Sequence, residues 1–354
     1  MLPKTTRAAV YEGGGTIAVV DVPLPDVAPG ELLVRISACG ICPGETVRWY
    51  VDGKAPFGLG HEPVAIIEAC GAGAAPARPW GKPFSPGERV FVHHHAPCMR
   101  CRRCLRGDYV QCAAWRSAKL LPGGMAQFAI VPADNVSFDV LRIPEDVGDE
   151  TATLVEPLAT VIKSIRRSGM RRNDRVLVIG LGVMGLLHVA VARHQGAEFV
   201  LGADRIASRL ERALQLGAHA ALDVSSAPLP EQVFAATDGE GADIVIVGPG
   251  TREALDAAAA SVAPGGTIVV FSPLAPGESW PLPVHEFFFK DVSVVASYSA
   301  GPSDTRAALK LLAGGLNVRP LVTHRFGLEA VAEAYRLVAE AQEALKVVVY
   351  PGAR

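Results

Sequence analysis

Four cysteines in a short stretch form the most specific chemical pattern of the sequence. Cys98, Cys101, Cys104 and Cys112 follow the spacing Cys-x2-Cys-x2-Cys-x7-Cys. Four thiolates this close together can enclose a tetrahedral zinc ion with no position open, which is typical of a structural site. An iron–sulfur cluster and a nucleic-acid-binding zinc ribbon are the alternatives. No proline follows the fourth cysteine, so we predict a zinc-binding lobe over residues 93–115.

A second set of possible ligands lies outside this lobe. Cys42 follows a predicted strand, and His61-Glu62 follows a Gly-Leu-Gly turn. Glu156 lies beside Pro157 and either binds a metal or caps the start of a helix. Thiolate, imidazole and carboxylate are ordinary zinc ligands, and three of them together with a water form a catalytic site. These residues therefore predict a second zinc site, open to a substrate.

A glycine-rich loop predicts a dinucleotide site. A predicted strand over residues 175–179 leads into Gly180-Leu181-Gly182-Val183-Met184-Gly185, and a predicted helix over residues 185–195 follows. The Gly-x-Gly-x-x-Gly pattern is specific when it lies between a strand and a helix, because the helix N-terminus then binds the pyrophosphate. This loop disfavours a nucleic-acid-binding zinc ribbon as the role of the four cysteines.

The predicted second strand of this domain ends in Asp204, 24 residues after Gly180. A carboxylate at this place accepts hydrogen bonds from the adenosine ribose of NAD and repels the 2′-phosphate of NADP. Arg205 and Arg209 lie close by and leave NADP as the alternative. We therefore predict NAD as the cofactor, with Asp204 and Arg209 in its binding site.

The remaining cysteines and histidines are interpreted as packing residues. Cys39 and Cys70 are expected in the core. On a strand, His93 and His95 share one face while His94 points away. We expect all three histidines to pack or to form hydrogen bonds, and not to bind a metal.

The pattern of apolar residues differs between the first part of the chain and the part after residue 175, which indicates two domains. Short β-branched and apolar runs, separated by Gly and Pro, predict strands over residues 7–11, 16–20, 31–39, 64–70 and 89–92. From residue 175 strands alternate with helices, which indicates a doubly wound parallel sheet. Two further helices and a closing strand are predicted over residues 305–313, 328–341 and 346–350. The predicted fold class is α/β with an additional irregular β domain.

Composition excludes several classes of protein. The 354 residues are 49% hydrophobic and 20% charged, with a net charge of −2. A disordered chain, a nucleic-acid-binding protein and a membrane-surface protein are disfavoured. No apolar run approaches the roughly 18–20 residues of a membrane span, and the N-terminus lacks a secretory leader. We therefore expect a soluble cytoplasmic protein.

Taken together, these motifs resemble the zinc-dependent medium-chain dehydrogenase/reductase superfamily over nearly the whole chain. The resemblance implies a GroES-like catalytic domain over residues 1–157 and 298–354 and a Rossmann domain over residues 158–297. It implies two zinc ions per chain and a homo-oligomer, a tetramer or a dimer. It implies that the ligands of the reactive zinc are Cys42, His61, Glu62 and Glu156. It also implies that Glu45 orients the histidine ligand.

The ligand set and one departure narrow the expected reaction. Alcohol dehydrogenases of the superfamily use a later cysteine as a ligand, but this chain has no cysteine after Cys112. Glu156 lies at the matching place, and a carboxylate there resembles the polyol and threonine dehydrogenases. Many relatives carry a hydroxyl two residues after the first ligand, where this chain has Gly44, and some carry a relay histidine where it has Val47. Proton removal must then use a water, Glu62, Glu156 or Thr46.

The expected activity is oxidation of a secondary hydroxyl of a polyol, sugar or related alcohol to a ketone, with hydride transfer to NAD+. Trp49 and Tyr50 either line the substrate pocket or pack in the core. L-Threonine 3-dehydrogenase and simple alcohol dehydrogenase are the alternative activities. A zinc-free enone reductase would lack the metal ligands, and a catalytically dead dinucleotide-binding relative would have lost one of them. No nucleic-acid or membrane partner is expected.

Overall fold

Both ends of the chain contribute to one of two units. The computed structural model describes residues 2–77 and 81–352. The first unit comprises Met1–Ala159 together with Ala300–Arg354, and the second comprises Thr160–Ser299. The first unit therefore contains both sets of candidate zinc ligands, and the second contains the glycine-rich loop.

The described part of the chain forms sixteen strands, numbered here in chain order. They are β1 (Thr5–Gly13), β2 (Thr16–Pro23), β3 (Leu32–Gly40), β4 (Phe57–Gly58), β5 (Glu62–Cys70), β6 (Arg89–Val92), β7 (Phe128–Val131), β8 (Val140–Arg142), β9 (Arg175–Ile179), β10 (Phe199–Asp204), β11 (Ala220–Asp223), β12 (Ala242–Val247), β13 (Val262–Val270), β14 (Ser293–Ala296), β15 (Val322–Gly327) and β16 (Lys346–Tyr350).

Thirteen α-helices occur in the same residues. They are α1 (Arg48–Val51), α2 (Arg102–Leu105), α3 (Ala113–Ser117), α4 (Ala133–Phe138), α5 (Asp149–Ala152), α6 (Val155–Ser168), α7 (Val183–His194), α8 (Ala207–Gln215), α9 (Leu229–Ala236), α10 (Arg252–Ser261), α11 (Val284–Phe289), α12 (Pro302–Ala313) and α13 (Val331–Glu340). None of the described helices combines the length and the apolar character that crossing a bilayer requires.

The first unit is built on a seven-stranded sheet in the order β15-β16-β3-β5-β6-β8, with β7 also paired to β3. A smaller sheet follows the order β2-β1-β4. The long strand β3 is almost entirely buried because its apolar run contacts the core on both faces. β16 pairs antiparallel with the end of β3, where Val349 lies opposite Cys39. The C-terminal segment is therefore part of the sheet whose strand ends carry Cys42 and His61.

The second unit is a six-stranded sheet in the order β11-β10-β9-β12-β13-β14. Every pairing in it is parallel. Its strands are buried, unalternating apolar runs such as Val-Leu-Val in β9, as expected for a sheet covered on both faces. The predicted doubly wound fold is confirmed.

Several predicted elements have different limits in the structure. The apolar residues of segment 151–167 have helical spacing, which predicts one helix, but the structure divides this segment between α5 and α6. The helix predicted over residues 185–195 begins earlier, at Val183, because Gly182 takes the N-cap position. The sequence analysis missed elements of at most eight residues, which are the strands β4, β7, β8, β11, β14 and β15 and the helices α1, α2, α3, α4, α9 and α11.

Candidate metal sites and nucleotide-binding loop

The four cysteines of the predicted lobe converge on one point. Their sulfur atoms all lie within 4.8 Å of one another. The Sγ atoms of Cys101 and Cys104 are 3.5 Å apart, and those of Cys98 and Cys112 are 3.6 Å apart. Tetrahedral zinc with bonds of about 2.3 Å separates its sulfur ligands by about 3.8 Å. The donor set therefore fits a closed zinc site.

The lobe has little core of its own. Its buried side chains are Cys104, Val110, Cys112 and Trp115, and its helices α2 and α3 have only four and five residues. Backbone N–H groups of Arg100 and Cys101 lower the pKa of the Cys98 thiol to about 6, whereas burial raises the pKa of Cys104 to about 12. Such short helices need support from outside. A bound metal would provide it.

Cys42, His61 and Glu62 form a second group of donors. One ligand atom from each lies within 4.8 Å of the other two. Cys42 precedes a 3-10 turn after β3, His61 immediately precedes β5, and Glu62 is the first residue of β5. The antiparallel pairing of β3 with β5 sets Gly40 opposite Glu62 and so brings the two strand ends together. One thiolate, one imidazole and one carboxylate fit zinc and leave a fourth position for another ligand.

Glu45 orients the ring of His61. Its Oε1 lies 2.9 Å from His61 Nδ1 and accepts a hydrogen bond from Gly60 N at 3.1 Å, while its Oε2 accepts one from the hydroxyl of Tyr335 at 2.6 Å. A carboxylate on Nδ1 leaves Nε2 free to bind a metal. Burial lowers the pKa of His61, but the charges of Glu45 and Cys42 outweigh burial and raise this pKa well above its usual range.

Glu62 forms a fully buried ion pair with Lys346 of β16. Lys346 Nζ lies 2.8 Å and 2.6 Å from the two carboxylate oxygens and also donates to the carbonyl oxygen of Ile41 at 3.1 Å. Burial raises the pKa of Glu62, and the charge of Lys346 partly offsets this effect. A Cβ at Gly40 would lie 2.0 Å from Glu62 Oε2, so only glycine leaves room for this carboxylate.

Glu156 lies in a neighbouring group with His93 and His94. One ligand atom from each of these residues lies within 4.8 Å of the others. The two groups adjoin, because the rings of His61 and His94 have their centroids 4.7 Å apart. His95 belongs to neither group of donors, although its ring centroid lies 3.9 Å from that of His94, and its Nδ1 donates to the carbonyl oxygen of Ala118 at 2.8 Å. The metal-ligand role expected for Glu156 remains a prediction.

The position two residues after Cys42 offers no hydroxyl. A Cβ at Gly44 would lie 3.5 Å from the Cys42 sulfur. The Thr46 hydroxyl, considered above as an acceptor for the substrate proton, donates to the carbonyl oxygen of Pro43 at 2.8 Å. Trp49 and Tyr50 are 45% and 36% exposed, and neither belongs to the core.

In the second unit, the glycine-rich loop connects β9 to α7 as predicted. Gly180 has a φ of +85°, and a Cβ at Gly185 would lie 1.9 Å from the carbonyl oxygen of Gly180. A Cβ at Gly182 would meet no atom within 4 Å, so the loop surface there is open. The twelve-residue helix α7 begins at Val183, with Met184 also in its first turn. The loop can therefore present backbone N–H groups to a pyrophosphate.

Asp204 at the end of β10 fixes this loop. Its Oδ2 accepts a hydrogen bond from Leu181 N at 2.7 Å, and its Oδ1 accepts from Arg205 N at 2.7 Å and Ile206 N at 3.0 Å. Arg209 Nη1 lies 3.6 Å from Oδ2. The carboxylate thus stays next to the loop in the place where a ribose would bind.

The sequence analysis missed three side chains that contact the predicted ligands. Tyr335 and Lys346 lie far from Cys42 in the sequence, and only the pairing of β16 with β3 brings them close. His94 was assigned to packing because alternation on a strand turns it away from His93. The one available signal was Lys346, which begins the otherwise apolar strand Lys-Val-Val-Val-Tyr. A lysine in such a strand is expected to be buried and therefore to need a charged partner.

Comparisons with known proteins identify the family of the chain. Residues 28–145 match the family model "Alcohol dehydrogenase GroES-like domain", and residues 183–314 match "Zinc-binding dehydrogenase". The chain is 28% identical to sorbitol dehydrogenase of Bacillus subtilis over 360 residues, which cover 99% of this chain and 98% of the relative.

Two solved structures extend the likeness to the fold. An alcohol dehydrogenase of Thermus sp. ATN1 is 32% identical, with a TM-score of 0.85 over 97% of this chain and 99% of its own. A zinc-binding dehydrogenase of Sinorhizobium meliloti 1021, bound to NADP, is 28% identical, with a TM-score of 0.85 over 99% of this chain and 100% of its own. These likenesses span both units.

Proposed function

The chain belongs to the polyol dehydrogenase branch of the zinc-dependent medium-chain dehydrogenase/reductase superfamily, and from this premise we propose its reaction. It is an oxidoreductase that acts on CH–OH groups. The proposed reaction oxidises a secondary hydroxyl of a polyol, sugar or related alcohol to a ketone, with NAD+ as the hydride acceptor. The observation that carries the proposal is the convergence of Cys42, His61 and Glu62 within 4.8 Å.

Cys42, His61 and Glu62 would hold the reactive zinc. When bound, zinc supplies a Lewis acid that polarises the substrate hydroxyl, and the nicotinamide accepts hydride. Glu45 holds the His61 ring with Nε2 free, and Lys346 competes for the oxygens of Glu62. Cys42 and His61 would thus be the fixed ligands, and Glu62 would be shared between Lys346 and the metal.

A carboxylate is proposed to accept the substrate proton. Position 44 carries no hydroxyl, and the Thr46 hydroxyl is bonded to its own turn, which favours Glu62 or Glu156. Loss of a general base costs about 10²–10⁴ in rate. We expect Glu156→Ala to lower kcat by at least 100-fold while the zinc of the Cys42 group stays bound. Unchanged turnover with that zinc retained would remove Glu156 from the reaction.

NAD+ is proposed over NADP+ because Asp204 keeps a carboxylate beside the loop, where it would repel a 2′-phosphate. Steady-state kinetics with both cofactors test this preference. We expect kcat/KM to be at least tenfold higher with NAD+. A preference for NADP+, the cofactor bound in the Sinorhizobium relative, would instead assign the cofactor phosphate to Arg205 and Arg209.

Cys98, Cys101, Cys104 and Cys112 are proposed to hold a second, structural zinc. Thiolate ligands persist in a reducing compartment, and every described cysteine lacks a disulfide. This supports the cytoplasm as the proposed location.

We also propose a homo-oligomer, a dimer or a tetramer, formed through the outer edge of β14. β14 ends its sheet, so one of its edges has no partner strand among the described residues. Val284, Phe288 and Phe289, which are 63%, 73% and 74% exposed, precede it in α11. We expect Phe288→Asp to lower the molar mass measured by light scattering. A monomeric mass for the wild type, or a variant mass equal to that of the wild type, would contradict this interface.

A substrate screen tests the function as a whole. Zinc-loaded protein is incubated with NAD+ and a panel of polyols, threonine and simple alcohols, and NADH is followed by its absorbance. We expect the highest kcat/KM with a polyol. Threonine as the best substrate, or no turnover of any polyol by fully zinc-loaded protein, would overturn the proposal.

A further inference from the structure

We propose that Ser164 and His188 form a hydrogen-bond network behind the glycine-rich loop, which strengthens the binding of the cofactor pyrophosphate. The network consists of the Ser164 hydroxyl, the His188 ring and the peptide group between Met184 and Gly185. Both side chains are positioning residues, because they act on the phosphate through that peptide group. This inference rests on the proposed function only in taking the loop as the nucleotide-binding site.

The two side chains are buried polar groups in an apolar environment. Ser164 of α6 is 0% exposed and His188 of α7 is 1% exposed. His188 is the one polar side chain among the nine buried residues of α7. Burial of a hydroxyl and an imidazole costs free energy, and replacing two such partners by apolar groups is often neutral for stability. Stability therefore gives no reason for this pair.

The hydrogen bonds of the His188 ring fix where its proton lies. Nδ1 is 2.7 Å from the carbonyl oxygen of Met184, which can only accept, so Nδ1 carries the proton. Burial lowers the pKa of His188 to about 4, so the ring is neutral at pH 7 and Nε2 is an acceptor. The Ser164 hydroxyl, 2.5 Å from Nε2, is therefore the donor, with the carbonyl oxygen of Val161 at 3.0 Å as a second acceptor.

The network ends on the first turn of α7. Gly182 is the N-cap, and Leu186 N donates to the carbonyl oxygen of Gly182 at 3.0 Å. The N–H groups of Val183, Met184 and Gly185 precede this bond and have no partner inside the helix. The carbonyl of Met184 and the N–H of Gly185 belong to one conjugated peptide group. A hydrogen bond to that carbonyl therefore makes that N–H a stronger donor.

All the bonds of the network point in the same direction. The hydroxyl of Ser164 donates to the ring, the ring donates to the Met184 carbonyl, and the N–H of Gly185 is left to donate to a phosphate oxygen. Hydrogen bonds in series strengthen one another by roughly 10–30% per bond. The positive end of the α7 dipole lies at the same place. The network therefore adds to the attraction for an anion at the loop.

The His188 ring is held on three sides. Besides Ser164 and Met184, the ring of Phe271 contacts it edge-on, with the centroids 4.7 Å apart and the planes at 87°. Phe271 directly follows β13, so a strand end of the same sheet fixes the plane of the imidazole. Because the donors are oriented before the cofactor binds, little conformational freedom is lost on binding.

Binding of ADP and adenosine isolates the effect on the phosphates. The full-length protein is titrated with ADP, adenosine and NADH at neutral pH by isothermal titration calorimetry. We expect Ser164→Ala to raise the Kd of ADP and NADH about threefold to tenfold. The Kd of adenosine, which has no phosphate, should not change. Ser261→Ala is the matched control, since Ser261 is also 0% exposed and its hydroxyl bonds to the carbonyl oxygen of Ala257 in α10 at 2.7 Å.

The double variant Ser164→Ala/His188→Leu separates positioning from folding. It replaces both polar partners by apolar groups, so we expect a urea midpoint close to that of the wild type. The Kd of ADP should nevertheless rise about tenfold. In steady-state kinetics the KM for NAD+ should rise while kcat stays within about twofold, because binding to the pyrophosphate is the same in the ground state and the transition state.

The three ligands decide the proposal in either direction. An unchanged Kd of ADP in both variants would overturn it. An equal loss for adenosine and ADP would also overturn it, since the pair would then support the whole nucleotide site. A double variant that unfolds at much lower urea concentration would assign the pair to stability instead. The proposed function fails separately, on a substrate screen in which protein that binds NADH turns over no polyol.

Discussion

The four-cysteine lobe and the Cys42 group are both candidate zinc sites of the first unit, but they are constructed differently. The lobe takes all four donors from residues 98–112, and they are the same chemical group. The Cys42 group takes three different donors from two strand ends. Two residues from the other end of the chain support it, since Tyr335 contacts Glu45 behind His61 and Lys346 contacts Glu62.

This difference indicates how one metal can serve two purposes. A set of four thiolates satisfies the ion completely and depends on little outside the lobe. A mixed set leaves a ligand position open, and its carboxylates must be held by other charged or polar groups because they are buried. The four-cysteine lobe should therefore lose its zinc and its fold when one sulfur is lost. The Cys42 group should instead lose affinity or activity to an extent that depends on which residue is changed.

The largest expected effect is that of Cys104→Ser in the lobe. Structural zinc contributes on the order of 10 kcal/mol to the folding of small domains, and the lobe has few buried side chains to replace it. We expect loss of one zinc ion and of hydrogen-exchange protection throughout α2 and α3. Cys70→Ser, which changes a cysteine outside both sites, should retain the zinc ion and the hydrogen-exchange protection of α2 and α3. A lobe that keeps its hydrogen-exchange protection without zinc would contradict a structural role for that zinc, because the lobe would then fold on its own.

Next in size is Cys42→Ser. Loss of a ligand from the open site should lower kcat/KM by about 10³-fold or more, equivalent to roughly 4 kcal/mol. Thermal stability should change little, because the lobe retains its own zinc. Kinetics and differential scanning calorimetry on the same sample measure both quantities. A large drop in melting temperature would assign a structural role to the Cys42 group as well.

Lys346→Met tests the buried support of the open site. Removal of one partner of a buried ion pair costs about 3–5 kcal/mol, because the other charge is left uncompensated. We expect a loss of this size in urea unfolding, largely restored by the double variant Lys346→Met/Glu62→Gln. Lys290→Met is the control, since Lys290 and its partner Glu286 are 49% and 65% exposed. Equal losses in Lys346→Met and the control would show that burial does not matter here.

The smallest expected effect is that of Tyr335→Phe. It removes one of three contacts to Glu45 and leaves the hydrogen bond to His61 in place, so we expect about tenfold weaker zinc binding at the open site. Competition with a chelator measures this affinity, while the lobe zinc remains bound. Tyr350→Phe, which removes a tyrosine hydroxyl from Glu150 instead, is the matched control. An effect of the same size in both variants would mean that the contact to Glu45 has no specific role.

The sequence predicted those parts of the molecule that short segments determine. The Cys98–Cys112 spacing, the glycine-rich loop and the strand over residues 346–350 all depend on neighbours in the chain. The elements missed have at most eight residues, and in some of them, such as Ala-Ala-Leu-Asp in β11, the apolar pattern is also weak. The structure of β11 is set by its parallel pairing with β10, which no local pattern encodes.

The same distinction holds within the candidate sites. Proximity in sequence and family resemblance suggested Cys42, His61, Glu62 and Glu45. The role of Lys346 depends on the pairing of β16 with β3, and that of His94 on a turn after β6 which breaks the alternation assumed for a strand. Contacts of this kind arise from tertiary structure and are invisible to spacing rules.

The division of the first unit between two distant chain segments has a consequence for biosynthesis. As the polypeptide leaves the ribosome, the four cysteines emerge together and can capture zinc early. Glu45 and Glu62 emerge sooner still, yet their partners Tyr335 and Lys346 follow 290 and 284 residues later. Until both partners have been synthesised, the two carboxylates cannot be buried in their native contacts. A chain that stops before residue 335 would therefore lack both partners and would be a substrate for quality-control proteases.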